Sequence, residues 1–232
     1  MRNIRKSSTL ESKFPLLAVE QGCIISKDGD ITVAYEVTLP EIFTVTLQEY
    51  VSVHAAWCKA IKVLPDYSIV HKQDWFVKEN YSPDLQNSDM SFLSKSYERH
   101  FNERPYLHHQ CYLFLTKTSK ERMAHQSNFS TLCRGHIIPK EIKDKETVAR
   151  FLDAVEQFAR IINDSGYISL RKLTDDEITG TERTTGLVGK YLSLSTENVQ
   201  CLEDMELSAS GMRIGSKHLC LHTLSQTEDL PT

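Results

Sequence analysis

TVTLQEYVSVHAAWCKAIKVLPDYSIVHKQDWFV, residues 44–77, decides how the rest of the chain is read. Leu47, Tyr50, Val51, His54, Trp57, Cys58, Ile61 and Leu64 recur at steps of three and four, the spacing that lines one face of an α-helix. Thr46 and Glu49 stand three apart and predict a capping box, with Val45 and Tyr50 at the positions of a hydrophobic staple. Pro65, with no N–H to donate, closes the far end. Tyr67, Ile69, His71, Gln73, Trp75 and Val77 then alternate with more polar neighbours, the period of a strand. The unit is helix, tight turn, strand. Its aromatic residues, including both tryptophans, are expected to pack in a core, and it carries no catalytic pattern.

Upstream, residues 1–13 are polar and basic and read as a flexible terminus. Leu16 to Ile25 reads as one strand, and Lys27-Asp28-Gly29-Asp30 as a turn. Ile31, Val33, Tyr35, Val37 and Leu39 alternate as a half-buried strand that Pro40 ends. Downstream, KENYSPDLQNS (78–88) is loop chemistry, and Met90, Leu93, Tyr97 and Phe101 keep helical spacing up to Pro105. YLHHQCYLFLT (106–116) is a dense apolar strand. Asp144 caps a second strong helix, whose stripe is Val148, Phe151, Leu152, Val155, Phe158, Ala159 and Ile162. Asn163 to Gly166 ends that helix, and Tyr167 to Leu173 forms one further strand.

Strand 30–39, helix 46–64, strand 67–77, strand 106–116, helix 145–163 and strand 167–173 make the order βαββαβ. That order predicts an α+β domain with a ferredoxin-like core, an antiparallel sheet and both helices on one face. An N-terminal hairpin precedes it and a long insertion interrupts it before the second helix. The expected division is a basic terminus at 1–13, an α+β core at 14–173 and a β-rich extension at 174–232. In the extension Thr174 and Glu177 predict a capped short helix, TGTERTTGLVGK (179–190) a loop, and Leu192 to Leu224 short strands and turns. The ending Glu228 to Thr232 has no closing helix, which suggests a continuation of the polypeptide.

The chain of 232 residues is long enough to bury a real core, with 25% charged and 40% hydrophobic residues. A net charge of −4 argues against a general nucleic-acid-coating protein. No apolar run approaches the roughly 18–20 residues that span a bilayer, and no secretory signal opens the chain. Six dispersed cysteines without a C-x-x-C pair read as reduced thiols of a cytoplasmic protein.

Gly186-Leu187-Val188-Gly189-Lys190-Tyr191 resembles a phosphate loop but fails it twice. Tyr191 replaces the Mg²⁺-holding hydroxyl, and Thr184 stands at the first glycine. His218, Cys220 and His222 alternate as a strand would and are of zinc-ligand type, yet no fourth ligand follows at a recognisable spacing. Cys133 and His136 are a weaker two-ligand fragment. His54 and Cys58 fall on the helical stripe and read as core residues. His108, His109 and Cys111 sit in one strand, which cannot point His108 and His109 the same way. No catalytic, cofactor or metal residue is assigned. The least regular interior stretch, 117–140, carries Lys117, Lys120, Arg122, Arg134 and Lys140 against Glu121, a net +4, together with Phe129. These six residues, Phe129 with the five cations, are the candidate interaction surface, for a protein partner or for the backbone of single-stranded nucleic acid.

RNIRKSSTLESKFPLLAVE (2–20), HAAWCKAIKVLPDYSIVHKQDWFVKENY (54–81), SFLSKSYERHFNERPYL (91–107), CYLFLTKTSKER (111–122) and SNFSTLCRGHIIPKE (127–141) resemble the N-terminal region of TraG-type conjugation proteins of Bacteroides conjugative transposons. The resemblance runs over most of residues 2–170. It implies the non-catalytic N-terminal domain of a type IV secretion-like ATPase, with Walker motifs, ATP and Mg²⁺ belonging to a region downstream. The implied partners are the protein's own C-terminal ATPase domain, inner-membrane channel proteins of DNA transfer and other copies of the chain. The implied location is cytoplasmic, peripheral at the inner membrane through partners.

Overall fold

A computed structural model describes residues 9, 14–81, 91–118, 144–195, 201–209 and 211–222. The chain forms two compact units, one ending at Thr174 and the next starting at Asp175.

The first unit is built on β3 (Ile31–Thr38). One edge of β3 pairs with β5 (Pro105–Lys117), from Ile31↔Lys117 to Glu36↔Tyr112. Its other edge pairs with β2 (Cys23–Ser26) at the start and with β6 (Ser169–Lys172) at the end. β1 (Leu16–Glu20) lies outside β2, and β4 (Ser68–Asn80) lies outside β5. Every pairing is antiparallel. The fold is therefore α+β with an antiparallel sheet, the class its residue periods predict.

Alternation along the strands separates the two faces of this sheet. Val33, Tyr35 and Val37 of β3 and Cys111, Leu113 and Leu115 of β5 face a single core. The helices α1 (Leu47–Val63) and α3 (Lys145–Asp164) cover that core. α3 buries Phe151, Val155, Phe158 and Ile162, four of the seven residues its stripe predicts, and Leu152 and Ala159 pack beside them partly buried. The Asp144 carboxylate caps its first turn, accepting from the backbone N–H groups of Glu146 and Thr147. At its far end Gly166 takes the left-handed conformation. There the Asn163 amide clamps β6, accepting from the Leu170 N–H at 2.7 Å and donating to the Leu170 carbonyl. Burial among Tyr35's neighbours pushes its phenol up to about 12, helped by the charge of Glu156 and then Cys23. Tyr35 is thus a neutral core residue.

Two local readings change. Residues 16–25 are not one strand but two, joined at Gln21 and Gly22, both at positive φ (55° and 71°). Positive φ at both central residues is the pattern of a type I′ hairpin turn, and a Gln in the first position hides it from sequence. Tyr67 is likewise at positive φ (61°) and turns the chain before β4, rather than opening the strand.

In the second unit, α4 (Asp175–Thr179) and α5 (Leu187–Ser193) precede a meander of β7 (Met205–Ser208), β8 (Gly211–Ile214) and β9 (Lys217–Leu219). The Thr/Gly-rich stretch read as loop therefore ends inside a helix. A Cβ on Gly186 would lie 2.2 Å from the Gly180 amide nitrogen, so these glycines serve close backbone approach. Gly189 and Lys190 sit within α5 and not in a loop that precedes it.

Candidate functional site

The Thr46–Glu49 capping box forms as the sequence predicts. Glu49 Oε2 accepts from the Thr46 N–H at 2.7 Å, and Thr46 Oγ1 accepts from the Glu49 N–H at 3.3 Å. The backbone and side-chain donors of Thr46 hold the Glu49 carboxyl below the ordinary carboxylate range. The helix so started then turns a different face inward. Val53, Trp57, Ala60 and Leu64 pack on the core, with Ala60 fully buried. Of the stripe expected to be core, Trp57 and Leu64 do pack inward, while the rest stands outside: Leu47 is 81% exposed, Tyr50 66%, Val51 58% and Ile61 48%. His54 and Cys58 lie on the same exposed face, the Cys58 thiol 3.9 Å from His54 Nε2.

The reason is that α1 is apolar on two faces, and periodicity cannot rank them. On the inner face Ala60 is fully buried, and Trp57 meets Phe158 of α3 edge-on at 5.8 Å. Leu47, Tyr50/Val51, His54, Cys58 and Ile61 then form a continuous row, since residues three and four apart are neighbours on a helix surface. Phe43, just before the helix, is also exposed. A row of this kind marks an interaction surface more often than an isolated exposed leucine does.

A second exposed apolar region lies at the end of a ribbon. β3 reaches only to Tyr112, so among the described residues β5 from Pro105 to Cys111 pairs with β4 alone, from Asp74↔Cys111 to Asn80↔Pro105. Those seven pairs extend the ribbon about 20 Å past the sheet at ~3.4 Å per residue. Phe76, Leu107 and Tyr106 are exposed on it. Between the ribbon's strands, α2 (Phe92–Asn102) buries none of its residues and exposes Phe92, Leu93, Tyr97 and Phe101.

Of the six residues predicted to form an interaction surface, Lys117 is displaced from that role. It ends β5, is buried, and donates through Nζ to the Asp66 carbonyl while lying over the Tyr67 ring. Lys120, Arg122, Phe129, Arg134 and Lys140 lie outside the described residues, as do Cys133 and His136. His218 is in β9, but Cys220 and His222 follow its end, and the three are not brought together.

One set of metal-ligating side chains does converge among the described residues, and sequence reading passed over it. Asp74, His109 and Cys111 bring their donor atoms within 4.8 Å of one another. His109 and Cys111 share a face as i and i+2 of β5, and Asp74 stands directly opposite Cys111 on β4. Two of the three were legible in the His-x-Cys spacing; Asp74 becomes visible only once the β4–β5 register is known. His109 Nε2 and Asp74 Oδ1 are 2.9 Å apart, and Lys72 donates to Asp74 Oδ2. Phe76 stacks on the His109 ring at 4.6 Å. Partial burial works to raise the Asp74 carboxyl, but hydrogen bonds from Lys72, His109 and Cys111 outweigh it and hold the group at about 2. Burial, and then the bond to Asp74, push the Cys111 thiol up to about 11.

Residues 3–55 match the family described as "Domain of unknown function, B. Theta Gene description (DUF3875)". That span takes in β1 to β3 and the first half of α1, including Leu47, Tyr50 and Val51. No curated protein matches the chain. No described helix is long and apolar enough to cross a membrane.

Proposed function

We propose that the chain is a non-catalytic assembly domain: the N-terminal part of a TraG-type, type IV secretion-like conjugation ATPase, docking at the inner-membrane DNA-transfer channel. The observation that carries this is the exposed row Leu47, Tyr50, Val51 and Ile61 on a helix whose adjoining face, Val53, Trp57, Ala60 and Leu64, packs on the core. The same helix that stabilises the domain thus presents a rigid apolar face outward, as a helix-in-groove contact requires. The resemblance of residues 2–170 supplies the conjugation context. The order β6-β3-β5-β4, with α1 and α3 crossing over one face, supports a ferredoxin-like βαββαβ core inside the α+β fold. Such a core hosts many functions and names none by itself. ATP and Mg²⁺ then belong to the ATPase domain that the family carries downstream, and the location is cytoplasmic, held at the membrane through partners. The nucleic-acid reading is the weaker one, because Lys117 is committed to the Asp66 carbonyl.

The test is a photo-crosslinking residue at position 51 of the full-length protein, in cells that carry the conjugation machinery. An adduct with an inner-membrane channel component is expected. Adducts solely with other copies of this chain would replace docking by self-association. ATP turnover by the isolated 232 residues above buffer background would end the non-catalytic part.

A further inference from the structure

We propose that Asp74, His109 and Cys111 form a zinc site with three protein ligands and a fourth coordination position open to solvent. The three donors are an oxygen, a nitrogen and a sulfur, the mixed set that zinc takes and that hard cations such as Mg²⁺ and Ca²⁺ do not. Zinc bonds of about 2.0–2.3 Å put tetrahedral ligand atoms about 3.3–3.6 Å apart. The donors here already lie within 4.8 Å of one another, with His109 and Asp74 at 2.9 Å, so the set closes on an ion by small side-chain rotations. All three sit on the β4–β5 ladder rather than on loops, which fixes their Cβ positions in advance.

Cys111 lies buried at the base of the set, while Asp74 and His109 are about one-third exposed above it. An ion therefore enters from the solvent side and keeps one position open there. Stacking on Phe76 holds the His109 ring, and Lys72 on Asp74 Oδ2 leaves Oδ1 to face the ion.

Binding one Zn²⁺ breaks the Cys111 S–H bond. The sulfur keeps the electron pair and donates it to the metal, and the proton leaves to solvent. Ionised Asp74 and neutral His109 supply lone pairs, the imidazole proton resting on Nδ1. One proton is released per ion.

The experiment titrates the reduced, chelator-treated chain with Co²⁺ as a spectroscopic probe and then competes with Zn²⁺. It uses a His218→Ala, Cys220→Ser, His222→Ala background, so that the C-terminal His and Cys residues do not contribute. One equivalent should produce a thiolate-to-cobalt charge-transfer band and the visible bands of tetrahedral Co²⁺, both removed by Zn²⁺. Cys111→Ser should abolish the charge-transfer band. Asp74→Asn and His109→Gln, at partly exposed positions, should each weaken Zn²⁺ affinity at least about tenfold. No charge-transfer band in the parent, its survival in Cys111→Ser, or unchanged Zn²⁺ affinity in Asp74→Asn and His109→Gln would overturn the assignment.

Discussion

Trp57 meets Phe158 edge-on, ring centroids 5.8 Å apart and planes at 67°, and this contact joins α1 to α3 over the sheet. Phe158 is fully buried and Trp57 partly so. Phe158→Ala should therefore cost about 3–5 kcal/mol, and Trp57→Ala about 3, the low end for a large aromatic. A double-mutant cycle by urea unfolding should show the pair coupled by about 0.5–1.5 kcal/mol. Additive losses would mean that the two rings stabilise the domain separately.

The two faces of α1 should respond oppositely to substitution. Leu47→Asp and Val51→Asp alter exposed positions and should change stability by about 0.5 kcal/mol or less. Ala60→Leu adds volume where none is free and should cost about 1–3 kcal/mol. The check is thermal and urea unfolding of each variant. Large losses at positions 47 and 51 with tolerance at 60 would restore the face that simple periodicity favours.

Acid should act on α3 through its cap. Hydrogen bonds from the Thr147 side chain and backbone, assisted by the Glu146 N–H and the charge of Arg150, hold the Asp144 carboxyl below its ordinary value of 3.8. A carboxyl depressed by folding contributes stability that is present above its unfolded value and lost as pH falls through its folded one. Asp144→Asn keeps a capping oxygen but does not titrate. The stability difference between wild type and Asp144→Asn should therefore shrink as pH falls below 3.8, measured by unfolding across that range. A difference that stays constant with pH would remove the cap from the acid response.

The glycines of the phosphate-loop look-alike should matter for structure alone. Gly186→Ala places a Cβ against the Gly180 backbone, which no flexible side chain can relieve. Hydrogen exchange should accelerate in α4 and α5 while amides of α3 keep their protection. Protection in α5 unchanged from wild type would show that the close approach is not needed.

Existence and type of the main elements were legible because their periods are strong and their ends carry chemistry. Asp144 and Phe151/Val155/Phe158/Ile162 define α3, and Thr46/Glu49 and Pro65 bracket α1. What was not legible depended on choices made by distant residues. α1 has apolar residues on two faces, and only its packing against α3, through Trp57 on Phe158 and the buried Ala60, decides between them. Lys117 reads as the first cation of a basic stretch, but the β3–β5 register pairs it with Ile31 and its amine reaches Asp66. Asp74 joins Cys111 only through a strand register that 36 intervening positions do not announce. Gln21 at positive φ and the helix at Leu187 are tertiary solutions that local propensity disfavours.

The most direct measurement is DNA transfer by cells whose full-length protein carries Leu47→Asp and Val51→Asp together, at protein levels and unfolding temperature matched to wild type. Docking through the outer face of α1 predicts a fall in transfer of at least about tenfold, the loss that follows when about 1.4 kcal/mol of contact energy is removed. Recovery of the protein with the inner membrane should fall in parallel. Transfer and membrane recovery equal to wild type, with the domain folded, would contradict the account.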